Sequence, residues 1–185
     1  MDIFEYNINY VQAGAGELKD YLLSKELFWP LQVQTTAGQV PYPKLTIGNL
    51  LFYMRRAKAT ILEDSQKSQY DQLEHTVKKI HSDWQVAWEE KAKKEYQSRL
   101  RQWRIYLGDL NKEESSSAFH YKTKVKIRIF LELLSESVPV IQDKELESLD
   151  TVLRAHFIAG DFMWELFNSS EFPQEKFWYM YGYVK

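Results

Sequence analysis

The sequence predicts a mainly all-α fold: a long antiparallel helical hairpin, shorter helices packed at its base and a short extended or aromatic C-terminal segment. Two observations support this prediction. Glycine and proline are absent between Gly48 and Gly108 and again between Gly108 and Pro139, and these residues are the main interrupters of helices. Within both windows, apolar residues recur at the three- and four-residue spacing that is typical of one helix face.

The length of 185 residues fits one domain. We therefore expect residues 1–185 to form a single α-helical domain. Within it, residues 1–60 supply an N-terminal extended segment and short helices, residues 61–138 form the long hairpin, and residues 139–185 form a C-terminal helix and an aromatic tail.

For residues 1–60, the sequence predicts an extended segment followed by two short helices. The first ten residues alternate weakly between apolar and polar, which is typical of an edge strand. The glycine-containing stretch 14–17 predicts a loop before a helix over Glu17–Phe28, and Pro30 ends that helix. Residues 32–43 are expected to be extended or a loop, and the apolar spacing in 45–58 predicts a second helix.

The first arm of the hairpin is predicted over residues 65–110. Asp64 and Ser65 are suitable N-cap residues because their side-chain oxygens can accept bonds from the first-turn amides. An alternating three-four spacing then indicates a coiled-coil-like seam, which offers an interface to another helix or a second copy. The seam consists of Tyr70, Leu73, Val77, Ile80 and Trp84.

The second arm is predicted over Phe119–Ser137, where two interpretations compete. Apolar residues alternate with cations from Tyr121 to Ile129, which is a strand pattern. The same stretch also fits a helix, and its length without glycine or proline favours the helix, because strands are usually shorter. A third short helix, after the two of the N-terminal part, is predicted over residues 143–159 and ends at Gly160.

The C-terminal tail is rich in aromatic residues, which predict either a closing core element or a docking arm. Tryptophan and tyrosine dominate the energetics of protein interfaces, so an exposed tail would suit a partner. Large exposed apolar patches are rare on free proteins, and this favours the core interpretation.

Charge is distributed in blocks. Residues 91–128 carry 11 basic and 4 acidic side chains, whereas residues 129–185 carry 4 basic and 10 acidic ones. We expect the two blocks to pair in the folded chain. The alternative is a basic ridge that neutralises phosphates, and its candidate anion or nucleic-acid contacts are Lys91, Lys93, Lys94, Arg101, Arg104, Lys122, Lys124, Lys126 and Arg128.

No catalytic, cofactor-binding or metal-ligating motif is recognisable, so we expect no cofactor and no enzyme activity. The chain has no cysteine, which excludes disulfides and thiolate metal sites. The N-terminus does not resemble a signal peptide and no apolar stretch is long enough to span a membrane, so we expect a cytoplasmic protein with no membrane partner.

The broad helical surfaces predict a non-enzymatic protein–protein interaction or assembly subunit, acting as a scaffold or adaptor through a protein partner or self-association. The alternative is an accessory nucleic-acid-binding subunit that uses residues 91–128. An enzyme whose site is not visible in the sequence comes third.

Overall fold

The computed structural model describes residues 1–35, 38–110, 120–139 and 144–185, and these ranges confirm a mainly helical fold class. The helices are α1 (Ile3–Leu23), α2 (Ile47–Lys58), α3 (Asp64–Asp83), α4 (Gln85–Leu110), α5 (Tyr121–Ser137), α6 (Lys144–His156) and α7 (Gln174–Phe177). The strands are β1 (Gln34–Thr35), β2 (Gly38–Gln39), β3 (Phe157–Phe162) and β4 (Tyr181–Val184).

The contacts divide the chain into two compact units, Met1–Glu95 and Tyr96–Lys185, and the boundary falls within α4. The single-domain prediction for residues 1–185 stays a prediction. Strands β1 and β2 form a minimal antiparallel ladder in the first unit, as expected for an extended stretch, and β3 pairs with β4 in the second.

The predicted extended segment at the N-terminus is wrong, because α1 begins at Ile3. The Asp2 side chain caps this helix by accepting a 2.7 Å bond from the Glu5 amide. The same residues also contain a helical pattern that the weak alternation obscured. Apolar residues recur at intervals of four and three residues, and this stripe of α1 lies in the core. The stripe consists of Phe4, Ile8, Val11, Ala15, Leu18 and Leu22.

Glycines do not interrupt α1, which corrects the predicted loop at residues 14–17. Gly14 lies where α1 meets α2, and a Cβ atom there would be 3.2 Å from side-chain atoms of both Leu45 and Leu50. Its lack of a side chain therefore permits close helix packing. The helix ends at Leu23 rather than at Phe28, and the Ser24 hydroxyl donates a 2.8 Å bond to the Tyr21 carbonyl.

Helix α2 matches its prediction, and a buried carboxylate fixes its start. Thr46 caps the helix by accepting a 3.0 Å bond from the Asn49 amide. The Glu95 carboxylate, which is fully buried, accepts 2.7 Å bonds from the Thr46 hydroxyl and the Gly48 amide. A negative charge at a helix N-terminus is favourable, so Glu95 anchors α2.

The predicted helix over residues 65–110 is interrupted at Trp84, which is a correction to the first arm. Trp84 has φ −124° and ψ 35°, outside the helical region, and α3 ends there while α4 starts at Gln85. The Lys19 ammonium group lies 5.5 Å from the centre of the Trp84 ring. The N-cap of α3 is Glu63, and its side chain makes no cap bond, contrary to the prediction for Asp64 and Ser65.

The second arm is helical, which decides the interpretation of Tyr121–Ser137 in favour of the helix. Within the second unit, the Arg99 guanidinium of α4 lies 4.4 Å from the Phe130 ring of α5. Burial is the main cause of the raised pKa of Tyr121. Tyr106, further along α4, is close enough to Tyr121 to raise that pKa as well. Later residues of α4 thus meet earlier residues of α5, so this part of the hairpin is antiparallel.

The helix predicted over residues 143–159 ends earlier than expected. Helix α6 stops at His156, and residues 157–159 belong to β3 because they pair with the tail strand β4. The tail is mainly core, as favoured: Phe172, Phe177 and Tyr179 are fully buried in the second unit. Phe119 and Asp143, predicted as helix ends, lie outside the described residues, as does most of the predicted turn between the arms.

Candidate functional site

Strands β3 and β4 form a two-stranded antiparallel ribbon at the C-terminus. Phe157 lies opposite Val184, and Ile158 lies opposite Tyr183. Directly opposed residues share one face of a ribbon, so these two pairs lie on opposite faces. Val184 is buried, and the Phe157 ring packs edge-on against Trp178 at 5.3 Å, so their face is the inner one.

Gly182 allows the two strands to approach each other closely. It has φ +150°, a conformation that side-chain-bearing residues rarely adopt. A Cβ atom at this position would lie 2.1 Å from the Ile158 carbonyl oxygen and 2.7 Å from the Phe157 ring. Gly160, on the neighbouring strand, has no such conflict, because its Cβ atom would lie at an ordinary 3.6 Å from the Gly182 backbone.

The outer face of the ribbon is apolar. Ile158 and Tyr183 form one pair on it, and beyond a register irregularity Phe162 pairs with Tyr181. Tyr183 is 57% exposed, and the other three side chains are half-buried. An antiparallel ribbon with one solvated face normally carries polar residues there, so the pair of Ile158 and the exposed Tyr183 is unusual, whereas Phe162 and Tyr181 also contact the buried Phe172.

The loop after β3 continues this apolar surface. Phe162 and Trp164 both pack on the buried ring of Phe172, at centroid distances of 5.9 and 5.7 Å. The Trp164 ring also lies 5.6 Å from Phe167, and Leu166 between them is 70% exposed. These side chains together form what we call the C-terminal aromatic surface: Ile158, Phe162, Trp164, Leu166, Phe167, Tyr181 and Tyr183.

A buried ionic cluster lies in the second unit, next to Tyr179, which precedes β4. The Arg128 guanidinium donates two 2.9 Å bonds to Asp150 and one 3.1 Å bond to Glu132. It also lies 4.6 Å from the Tyr179 ring. Burial alone would lower the pKa of Arg128, but its contacts with Tyr179 and the two carboxylates outweigh burial and raise that pKa. The Tyr121 hydroxyl ties α5 to the same region by donating a 2.6 Å bond to the Tyr179 carbonyl.

Two members of the predicted basic ridge are buried and cannot contact an external anion. Arg128 is 5% exposed and is neutralised as described. Lys91 is 6% exposed, and its ammonium group donates to the Ser24 hydroxyl at 3.2 Å and to the Glu26 carbonyl. Because they are buried, both residues are removed from the set of candidate anion contacts. The spacing of residues in the sequence did not show which parts of the chain pack over them.

The remaining ridge residues are more exposed, and several are paired. Lys93 lies 3.5 Å from Glu89, and Arg104 forms an exposed ion pair with Glu145. The Lys126 ammonium group is half-buried and lies 5.4 Å from the Phe130 ring. Within the described residues, exposed side chains that make no ion pair are found at Lys94, Arg101, Lys122 and Lys124.

Part of the expected pairing of the charge blocks is visible within the second unit. Arg104 and Arg128 of the basic block are neutralised by Glu145 and Asp150 of the acidic block. The predicted seam of α3 is used inside the first unit: Tyr70 and Val77 are buried, and α3 packs on α1 and α2. The other three seam residues are half-buried, namely Leu73, Ile80 and Trp84.

In the part of the chain that the structure describes, no group of three or more His, Asp or Glu side chains is placed to hold a metal ion. None of the helices in those ranges combines the length and the apolar character needed to cross a membrane. No protein-family model, curated protein or solved structure matches the chain. Function is therefore inferred from the residues of this chain alone.

The sequence signals for the C-terminal aromatic surface were present but ambiguous. The density of aromatic residues indicated a core element or a docking arm, and the structure shows that the tail has both inner and outer aromatic side chains. Which rings face outward depends on the register of β3 against β4 and on its irregularity between Ala159 and Phe162. A one-residue change in register exchanges the two faces, and register could not be read from the sequence.

Proposed function

We propose that this protein is a non-enzymatic protein–protein interaction or assembly subunit and that it binds its partner through the C-terminal aromatic surface. The observation that supports this function is the exposure of two apolar side chains of this surface, since Tyr183 on the ribbon and Leu166 in the loop after β3 are both more than half exposed. Exposed apolar patches of this kind mark interaction sites on soluble domains. Their aromatic composition is that of interface hot spots.

The contact is expected to form through side chains rather than through an added strand. The outer edge of β3 contains a register irregularity after Ala159, and the exposed Asp161 lies within it. Irregularities and charges of this kind disfavour pairing with an additional strand. The outer face therefore offers the better docking surface.

The experiment is affinity capture from native cell extract, treated with nuclease, with two matched variants. The test variant combines Leu166→Ser with Tyr183→Ser. The control combines Leu62→Ser with Val86→Ser, which removes apolar side chains that are 90% and 73% exposed in the first unit. We expect the wild type and the control to capture the same proteins and the test variant to lose them. Equal capture by all three would contradict this function.

Nucleic-acid binding is the second candidate, supported by the exposed cations Arg101, Lys122 and Lys124 in the second unit. If they bind phosphates, replacing all three with Gln should weaken binding to a nucleic acid and reduce the slope of log K against log salt, by about one for each lost phosphate contact. Arg128 is not replaced, because it is buried. An unchanged slope would contradict this alternative. A cytoplasmic location remains a prediction.

A further inference from the structure

One end of the C-terminal aromatic surface is acidic. Residues 157–171 contain three acidic side chains and no lysine or arginine. Two of these acids, Asp161 and Glu165, are exposed and make no ion pair with any described residue. They are the sequence neighbours of the rings Phe162 and Trp164, and neighbouring Cα atoms are only about 3.8 Å apart. Each carboxylate therefore lies within about 10 Å of a ring, which is the Debye length at about 0.1 M salt, so its charge acts on whatever binds there.

The rings at this end are held in place before any partner binds. Phe162 and Trp164 both pack on Phe172, whose carbonyl accepts a 2.8 Å bond from the Tyr181 hydroxyl of β4. The Phe167 amide donates a 3.0 Å bond to the Trp164 carbonyl, and the two rings are in contact. All three rings of this end are half-buried, so part of each remains open to a ligand. A surface that is already ordered loses little conformational entropy on binding.

Aromatic rings beside unpaired carboxylates form a surface suited to a cation, because the face of a ring is also electron-rich. The second unit already uses this interaction, since arginine side chains lie over ring faces inside it. The pairs, with the distance from the guanidinium carbon to the ring centre, are Arg99 on Phe130 at 4.4 Å, Arg128 on Tyr179 at 4.6 Å and Arg154 on Trp178 at 3.6 Å.

We propose that the acidic end of the C-terminal aromatic surface binds an arginine-containing basic segment of a partner protein. This inference rests on the proposed function and names the chemistry of the partner. A guanidinium group is planar, so it stacks on the ring of Trp164 or Phe167 while its N–H groups donate to Asp161 or Glu165. Apolar side chains beside the arginine pack on the exposed Leu166.

Charge favours a basic segment over an uncharged apolar one. An apolar partner would remove solvent from two carboxylates that have no ion pair, and burial of an unpaired charge is unfavourable. An arginine avoids this cost because it pairs with them. The other end of the surface differs, since the exposed Lys185 lies two residues after Tyr183. The basic segment is therefore placed at the end that carries Trp164.

The test is fluorescence anisotropy of a labelled peptide, Gly-Leu-Arg-Leu-Arg-Leu-Gly, titrated with the purified full-length chain. Two companion peptides carry lysine or glutamine in place of both arginines. One protein variant neutralises the acidic end, with Asp161→Asn and Glu165→Gln. Its matched control makes the same change in net charge elsewhere, with Glu90→Gln and Glu147→Gln, which replace exposed carboxylates of α4 and α6. Circular dichroism spectra check that every variant folds.

We expect the arginine peptide to bind the wild type and the control variant equally and to dissociate as salt is raised. The neutralised variant should bind it roughly tenfold more weakly, because two exposed ion pairs are lost. Trp164→Leu, which keeps an apolar side chain without the ring, should weaken binding about threefold. The lysine peptide should bind more weakly than the arginine peptide, because an ammonium group does not stack on a ring as a planar guanidinium does.

An arginine peptide that binds no better than either companion peptide would overturn the proposal. Equal binding by the neutralised and control variants, or a folded Trp164→Leu variant that binds like the wild type, would also overturn it. These failures are distinguishable from failure of the proposed function. A chain that does not bind the arginine peptide but still loses its captured proteins on Leu166→Ser with Tyr183→Ser would keep the interaction surface and reject arginine as its ligand.

Discussion

The Arg128 cluster gives a prediction whose size follows from burial. Arg128 is 5% exposed, and the Asp150 and Glu132 side chains that it binds are 17% and 20% exposed. Replacing Arg128 with Ala leaves two carboxylates close together with little solvent and no cation between them. Removing one partner of a buried ion pair costs about 3–5 kcal/mol, because the remaining charge is then uncompensated.

We expect Arg128→Ala to lie near the lower end of that range, about 3 kcal/mol, because both carboxylates keep some contact with solvent. The lost contact with the Tyr179 ring acts in the same direction. The matched control is Arg104→Ala. Its ion pair with Glu145 involves side chains that are 53% and 40% exposed, and such pairs contribute less than about 1 kcal/mol.

The free energy of unfolding is measured by urea denaturation, followed by near-ultraviolet circular dichroism and tryptophan fluorescence. Agreement of the two probes checks that one transition is being measured. A loss for Arg128→Ala no larger than that for Arg104→Ala would refute the reasoning, because it would show that burial does not make the Arg128 contacts more important than an exposed pair.

Three further predictions concern backbone, charge and pH. Gly182→Ala should destabilise the ribbon by about 3 kcal/mol or more in urea unfolding, because it adds a clash to a strained conformation, whereas Gly160→Ala should have little effect. Glu95→Ala should weaken amide-exchange protection at the start of α2, because two buried donors lose their acceptor, and unchanged protection would argue against this anchor. Burial lowers the pKa of His81 below 6.5, with Glu89 partly opposing it, so the folded state favours neutral His81. The free energy of unfolding should therefore fall as pH drops below 6.5. The fall should be less steep in His81→Gln, which removes the titrating group, than in the control His75→Gln, which replaces an exposed side chain.

The parts of the fold that sequence predicted well are those with one dominant signal. Helix α2 has a cap residue and a single apolar face, and Tyr121–Ser137 is too long for a typical strand. The N-terminus was predicted incorrectly because a weak alternation and a helical stripe overlap in the same residues. The sequence has no glycine or proline at the interruption at Trp84, and the residue that lies over its ring, Lys19, is distant in sequence.

The candidate site was less accessible from sequence than the fold. The spacing of Lys91 and Arg128 placed them among solvent-facing cations, but Glu26 and Asp150, which are distant in sequence, bury them. Likewise, composition identified the tail as aromatic without showing which rings face outward. That information lies in the strand register and in the close approach at Gly182, both of which depend on pairing between distant residues.

The most direct test of the interaction surface is photo-crosslinking in cells with a photoreactive phenylalanine analogue placed at Tyr183. The matched control carries the same analogue at Val86, which is similarly exposed but lies in the first unit. We predict a discrete cross-linked protein from position 183 and none from position 86, and a product of twice the chain mass would identify a second copy. No cross-link from position 183, or the same products from both positions, would contradict an interaction through the C-terminal aromatic surface.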